Sequence, residues 1–228
     1  YNIESFISPR YVQGQQRYKG SQPITFTHNH VDFLKRNNDK YSVNTKTDGE
    51  RFFLHIDKDG VMSKYPKKLV MEKMKTRDMK DTKLGNTLID GEIIKTSKNK
   101  ELFVAFDVMF YKNVCVLDKN YKERFKLLSN IVKELKPYMT EFKIQLQDTL
   151  HENNAFKFGQ GMLSIKKKYN TDGLIFYPNT PYIIGVNTDT QLPLLKWKPF
   201  IQNTVDFRLK YHETVRGSAF YKLYGPSD

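Results

Sequence analysis

Hydrophobic and polar positions along this chain recur mostly at a period of two, and only one stretch switches clearly to the helical period. Residues 41–44 alternate as a half-buried strand does, and 52–56 read as a second strand. Asp57-Lys58-Asp59-Gly60 is a hairpin turn signal that predicts an antiparallel return through 61–65. Residues 87–94 form a strand around Asp90-Gly91-Glu92, a polar turn follows at 96–100, and 101–111 is a long apolar strand. Those two predict a hairpin with Glu92 on one arm and Asp107 on the other. The helix runs over 121–136, where Phe125, Leu128, Ile131, Val132 and Leu135 share one face, and Pro137 ends it.

Further strands are predicted at 142–146, 174–177 and 192–199, the last carrying Lys196 and Lys198, which two residues apart point to one side. Asn179-Thr180-Pro181 is a turn, and 205–209 and 219–224 read as two terminal strands. Residues 1–40 are polar and rich in Gln and Asn, with Gly20-Ser21-Gln22-Pro23 as a loop leading into 24–26 and a short helix over 30–36. The segment 151–169 reads as partly helical and ends in Lys166-Lys167-Lys168, a solvated basic face. There is no internal repeat and no low-complexity linker. Many short strands with few helices and mainly local, antiparallel connections predict an α+β domain.

Length and charge narrow the chemistry. At 228 residues the chain holds one large domain, or one domain with a fragment of a second. A net charge of +13 points to a polyanionic partner, with nucleotides or nucleic acid first. The single cysteine, Cys115, rules out an internal disulfide and fits a reducing compartment. No apolar run reaches the ~18 residues of a membrane-spanning helix and there is no signal-peptide pattern, so a soluble protein with no membrane partner is expected. A chain that begins at Tyr1 rather than Met is expected to be cut from a longer polypeptide.

The candidate nucleophile is Lys46, in Lys46-Thr47-Asp48-Gly49-Glu50-Arg51 between the first two strands. A free lysine, with a pKa near ~10.4, is neutral in only about one molecule in a thousand near pH 7, so converging cations or a metal are needed to favour the attacking amine. Arg51, Lys196 and Lys198 are the cations available, and Glu92, Asp107 and Asp172 the carboxylates. That set suits attack on a nucleotide α-phosphate: the cations neutralise the five-coordinate phosphorus, and the carboxylates hold magnesium or manganese. A phosphorus–nitrogen bond breaks readily once the nitrogen is protonated, so a two-step transfer to a second acceptor follows. Each motif alone is weak; Lys-x-Asp-Gly is also an ordinary turn, and only the order and spacing of the whole set carry weight.

The set resembles the covalent nucleotidyltransferase superfamily of messenger RNA capping guanylyltransferases and ATP- or NAD-dependent polynucleotide ligases. The Lys46–Arg51 hexapeptide matches its nucleophile motif, Asp90-Gly91-Glu92 and Phe103-Val104-Ala105-Phe106-Asp107 the next two, and Asp172-Gly173-Leu174-Ile175-Phe176 and Leu194-Leu195-Lys196-Trp197-Lys198-Pro199 the last two. Gly20-Ser21-Gln22-Pro23, the Leu-Leu-Lys-Trp-Lys-Pro form and Asn203-Thr204-Val205-Asp206-Phe207 are similar to the capping branch, and the likeness covers roughly residues 20 to 210.

The resemblance implies a nucleotidyltransferase (ATP-grasp-like) domain of antiparallel sheets flanked by helices over 1–202, with 203–228 as terminal strands that at most begin a C-terminal OB-fold. It implies that Lys46 takes GMP from GTP and passes it to the 5′-diphosphate end of RNA. Thr47 would join the nucleotide site, Arg51 and Glu92 would contact the ribose, and Phe106 would stack on guanine. Lys196 and Lys198 would hold the α-phosphate, with Glu92 and Asp172 at the metal. RNA triphosphatase and cap methyltransferase activities are expected in the same polypeptide or complex, as in a viral multifunctional capping enzyme. The expected location is intracellular: nuclear for a cellular parent, cytoplasm or virion for a viral one. The family's OB-fold lid orients pyrophosphate, and the chain stops at Asp228, too soon to include it. The residues alone do not choose guanine over adenine. An ATP-dependent RNA or DNA ligase using the same lysine, and a silent RNA- or protein-binding domain of this fold, are the competing expectations.

Overall fold

The computed structural model describes residues 1–8, 11–12, 15–16, 18–80, 82–96, 98–151, 169–186, 191–199, 208–215 and 218–224. The expected helix with Lys166–Lys168, the segment Asn203–Phe207 and the start of the strand at 205 lie outside the described residues. The chain divides into two compact units, Tyr1–Trp197 and Lys198–Asp228.

In the first unit the chain opens with α1 (Glu4–Ile7), β1 (Tyr11–Val12), β2 (Gln15–Gln16), β3 (Ile24–Thr25) and α2 (Asn29–Arg36). It continues through β4 (Tyr41–Thr47), β5 (Glu50–Ile56), β6 (Met62–Pro66), β7 (Glu72–Lys73), β8 (Thr87–Lys95), β9 (Glu101–Tyr111) and β10 (Val114–Cys115). Then come α3 (Tyr121–Leu135), β11 (Lys143–Leu146), β12 (Thr149–Leu150), β13 (Thr171–Pro178) and β14 (Leu195–Trp197). The second unit contains one antiparallel hairpin, β15 (Arg208–Val215) with β16 (Ser218–Tyr224), in place of the two separate strands expected there.

Two sheets organise the first unit. One runs β10-β9-β8-β5-β6-β7 with β11 added beside β9, and the other runs β12-β4-β13-β14-β3. Among the described residues the pairings are antiparallel except for β11 on β9 and β14 on β3. The expected α+β class is therefore present. Tight turns join the antiparallel neighbours β5–β6 and β8–β9; the β5–β6 turn ends on Gly60 at φ +77°, a conformation glycine adopts without a Cβ penalty. Parallel β11 follows α3, whose crossover carries the chain back beside β9.

Successive side chains of β5 go to opposite faces, and both faces are covered. Phe52, Leu54 and Ile56 pack with Phe103, Leu128, Ile131, Val132 and Leu135 on the α3 side. Phe53 packs on the other with Phe6, Tyr18, Leu88, Met109 and Tyr182. Each fully buried side chain of this kind contributes about 1.5–3 kcal/mol. The sequence predicts a half-buried strand over 41–44; instead Tyr41 to Thr45 are all buried, Tyr41 and Val43 in a third cluster with Leu34, Leu174, Phe176 and Leu195, and Ser42 and Asn44 against His151 and Tyr121.

Helix α3 starts on a capping box, with Asn120 Oδ1 accepting from the Glu123 N–H and Glu123 accepting from the Asn120 N–H. Its expected apolar stripe is present, joined by Tyr121 and by the buried Arg124. The hairpin register sets Asp107 opposite Asp90, while Glu92 faces Val104. The two expected carboxylate arms therefore do not meet.

Candidate functional site

Strands β4 and β5 follow one another in sequence yet belong to different sheets, so the chain crosses between the sheets at Asp48-Gly49. Elements of both sheets line a cleft of about 270 Å³ there, near the lower end of the ~300–1,000 Å³ range of small-molecule sites. Its walls include Lys46 and Thr47 from β4, Arg51 from β5, Glu92 from β8, Phe106 from β9, Ile175 and Tyr177 from β13 and Lys196 from β14.

Lys46 lies near the end of a strand rather than at a turn. Its Nζ donates to Asp172 Oδ1 at 2.7 Å, with the two side chains 21% and 16% exposed. The β4–β13 register pairs Gly173 with Lys46 and slips between Thr171 and Gly173, leaving Asp172 at the irregularity. A bulge re-aims the side chain it carries, here onto the lysine.

Glu92 is fixed by the crossover. The Thr47 hydroxyl donates to its Oε2 and the Gly49 N–H to its Oε1 at 3.1 Å. Burial pushes the Glu92 carboxyl above the usual range, opposed by the Thr47 hydroxyl and the Lys46 charge. Gly49 has to be glycine here, because a Cβ would stand 2.1 Å from the Ile93 carbonyl oxygen, and backbone cannot give way cheaply. Gly49→Ala is therefore expected to cost about 1–3 kcal/mol in a thermal melt. It should also loosen the Glu92 hydrogen bond and lower nucleotide affinity; an unchanged melting temperature would contradict this.

Arg51 grips Asp90 through two hydrogen bonds, Nε to Oδ1 at 2.9 Å and Nη2 to Oδ2 at 2.5 Å, and donates to the Ser21 carbonyl. Asp90 has no exposed surface and also accepts from the Tyr182 hydroxyl at 2.9 Å. This network ties the Gly20–Pro23 loop to the sheet. The guanidinium carbon sits 5.0 Å from the Phe106 ring centre, so Arg51 backs the aromatic wall of the cleft.

The structure brings Lys46, Thr47, Arg51, Glu92, Phe106 and Lys196 to one cleft, with Asp172 attached through its bond to Lys46. Lys198 lies past the end of β14, in the second unit, so the single strand expected to aim both lysines stops at Trp197. Asp107 is not available to a metal: it is 1% exposed and locked to Arg124 at 2.8 and 3.0 Å. Among the described residues no group of three or more His, Cys, Asp or Glu could hold a metal ion. Glu92 and Asp172 fit a hard cation only as magnesium commonly binds, through one or two carboxylates with phosphate oxygens and water completing the shell.

The expected site set omitted several residues that line the cleft, among them Asn44, Gln147, Lys67 and Tyr177. Asn44 was within reach of the sequence, since it stands two residues before Lys46 on one strand and shares its side. Gln147 carried no local signal; it reaches the cleft through Thr45, 102 positions away.

The family model described as mRNA capping enzyme, catalytic domain, matches residues 3–200. The mRNA-capping enzyme subunit alpha of Schizosaccharomyces pombe is 26% identical over 222 residues, covering 85% of this chain and 53% of that protein. A probable mRNA-capping enzyme of Acanthamoeba polyphaga mimivirus is 26% identical over 282 residues, covering 95% of this chain and 23% of that protein. The chain thus spans about half, or less, of the length of these relatives. Its fold is similar to that of the ATP-dependent DNA ligase from bacteriophage T7 in complex with ATP, with a TM-score of 0.56, 12% identity, and coverage of 92% of this chain and 78% of the ligase. A lysine-bearing cleft between two sheets and a family match that runs through all the strands lining it lead to one assignment: the chain belongs to the mRNA capping enzyme catalytic-domain family.

Proposed function

We propose that this chain is the nucleotidyltransferase domain of an mRNA guanylyltransferase acting on GTP and 5′-diphosphate-ended RNA. The observation that carries this is Lys46 in one cleft with Arg51, Glu92, Phe106 and Lys196, inside the span matched by the capping family. In the first step the Lys46 Nζ attacks the α-phosphorus of GTP. A P–N bond forms, the bond to the bridging oxygen breaks and pyrophosphate leaves. The amine must first shed a proton, and Asp172 Oδ1 at 2.7 Å is placed to take it. Lys196 and Lys198 offset charge on the α-phosphate, Thr47 holds Glu92 toward the ribose with Arg51 behind it, and Phe106 stacks on the base. In the second step a terminal oxygen of the RNA diphosphate attacks the same phosphorus, the P–N bond breaks and the lysine regains its proton.

A magnesium or manganese ion shared by Glu92, Asp172 and the phosphates would supply further charge neutralisation. The domain assignment over 1–202, with 203–228 opening an OB-fold, belongs to the same proposal. So do the companion triphosphatase and methyltransferase activities and an intracellular location, nuclear in a cell or cytoplasmic or virion-borne in a virus. Among the described residues no helix is long and apolar enough to cross a membrane.

The test is incubation with α-labelled GTP, and separately ATP, with magnesium or manganese, followed by a denaturing gel. A labelled band from GTP that pyrophosphate discharges is expected. A band from ATP alone, or none from either nucleotide with the chain in its full native polypeptide, would overturn the reading.

A further inference from the structure

Arg51 hydrogen-bonds to Asp90 through Nε and Nη2 and to the Ser21 carbonyl through Nη1. One hydroxyl joins these two partners. The Ser21 N–H donates to the Tyr182 hydroxyl at 3.0 Å, and that hydroxyl donates to Asp90 Oδ2 at 2.9 Å. A backbone N–H can only donate, so the single hydroxyl proton is left for the carboxylate. Tyr182, Asp90, Arg51 and Ser21 therefore close a circuit of hydrogen bonds. Tyr182, Asp90 and Ser21 are buried, and the Arg51 side chain, which lines the cleft, is 14% exposed. The Tyr182 ring is itself held, edge-on to Phe6 and with the Arg124 guanidinium carbon 5.4 Å from its centre.

The segment that carries Tyr182 grips the Gly20–Pro23 loop at two further points. The Gln22 N–H donates to the Gly185 carbonyl at 2.8 Å, and the Gly185 N–H donates to the Lys19 carbonyl at 3.3 Å. Gln22 and Pro23 line the cleft, whereas Tyr182 does not, and Tyr182 belongs to none of the sequence motifs. We propose that Tyr182 is a positioning residue for nucleotide binding, setting Arg51 and the Gly20–Pro23 loop in place through Asp90 and the Ser21 backbone without touching the nucleotide. Without the hydroxyl, the buried Ser21 N–H loses its acceptor and Asp90 loses one of the donors that orient it. Arg51 and the loop then gain conformations that the nucleotide has to freeze out on binding, which weakens affinity. This inference rests on the nucleotidyltransferase reading of the cleft and adds to it a residue outside the cleft that tunes GTP affinity.

The experiment measures equilibrium GTP binding and adduct formation by the 228-residue chain and its Tyr182→Phe variant. The variant is expected to raise the GTP dissociation constant about tenfold. Adduct formation at saturating GTP should stay within about threefold of wild type, because Lys46 and Asp172 lie outside the circuit. Leu135→Ala, in the separate core cluster packed against α3, serves as a destabilised control and should leave GTP affinity unchanged. Arg51→Lys supplies the decisive comparison, since lysine cannot reproduce the two-pronged grip on Asp90. In that background Tyr182→Phe should change affinity by less than about twofold, the signature of two residues acting through one contact. In the wild type, amide exchange over residues 19–22 should be slow and should slow further with GTP, because coupling between nucleotide and loop is reciprocal. That measurement decides the matter even where Tyr182→Phe fails to fold. A folded Tyr182→Phe chain with wild-type GTP affinity, full additivity with Arg51→Lys, or loop exchange indifferent to GTP would overturn the inference while leaving nucleotidyl transfer standing. A wild-type chain that neither binds nor is labelled by GTP or ATP would overturn the nucleotidyltransferase reading and this inference with it.

Discussion

Lys46→Ala is expected to abolish the labelled protein band, with residual adduct at least about 10⁴-fold below wild type, because no other group replaces a covalent nucleophile. The neighbourhood makes the expectation specific to Lys46. Lys196 is in the same cleft, but it sits on β14 opposite Ile175, whereas Lys46 is opposite Gly173 and donates to Asp172 Oδ1 at 2.7 Å. Stability should change less than when a fully buried pair is broken, since the Lys46 and Asp172 side chains keep 21% and 16% exposure and the freed carboxylate can reach water. GTP binding should fall far less than adduct formation, because Phe106, Lys196, Arg51 and Glu92 remain. Equilibrium binding and a denaturing gel on the same preparation separate the two effects. A full-strength band from folded Lys46→Ala would place the nucleophile elsewhere and remove the mechanism.

Asp107→Ala should do the reverse, removing stability first. Asp107 accepts two hydrogen bonds from Arg124, and the pair is 1% and 3% exposed. Arg124 also donates to the Lys119 and Thr180 carbonyls, so it joins α3 to the loop before it and to the loop after β13. Deleting the carboxylate leaves a buried guanidinium without its counter-charge, which costs about 3–5 kcal/mol. For a chain of this size that lowers the melting temperature by roughly 6–20 °C. Asp172→Ala makes the useful contrast: adduct formation should fall steeply while the melt moves by a degree or two. Were Asp107→Ala to melt like the wild type and change only the divalent-metal dependence of labelling, Asp107 would be a ligand after all.

The hairpin at Asp57–Gly60, the β8–β9 pair, the α3 stripe ending before Pro137 and the order of the motifs were all legible because each is a short-range property. Turn residues, a two- or 3.6-residue period and a proline act on neighbours within a few positions. The positions of Lys46, Glu92 and Phe106 were legible for the same reason, since each lies inside a motif whose spacing does not depend on the rest of the fold. Strand lengths were less so: β14 stops at Trp197 because only Leu195 and Lys196 pair with β3 and only Leu195 to Trp197 with β13.

By itself the sequence determined the element types, the α+β class and the family, since local propensity and motif spacing are carried by contiguous residues. Only the tertiary structure decided which carboxylate meets which cation. Asp107 belongs to Arg124, Asp90 to Arg51 and Asp172 to Lys46, pairs separated by 17, 39 and 126 positions. It likewise decided that Asn44 and Gln147 join the residues lining the Lys46 cleft. The reason is physical: a buried charge or amide is satisfied by whatever the packing of distant strands brings within about 3 Å, and that is fixed by register and layer contacts rather than by neighbours in the chain.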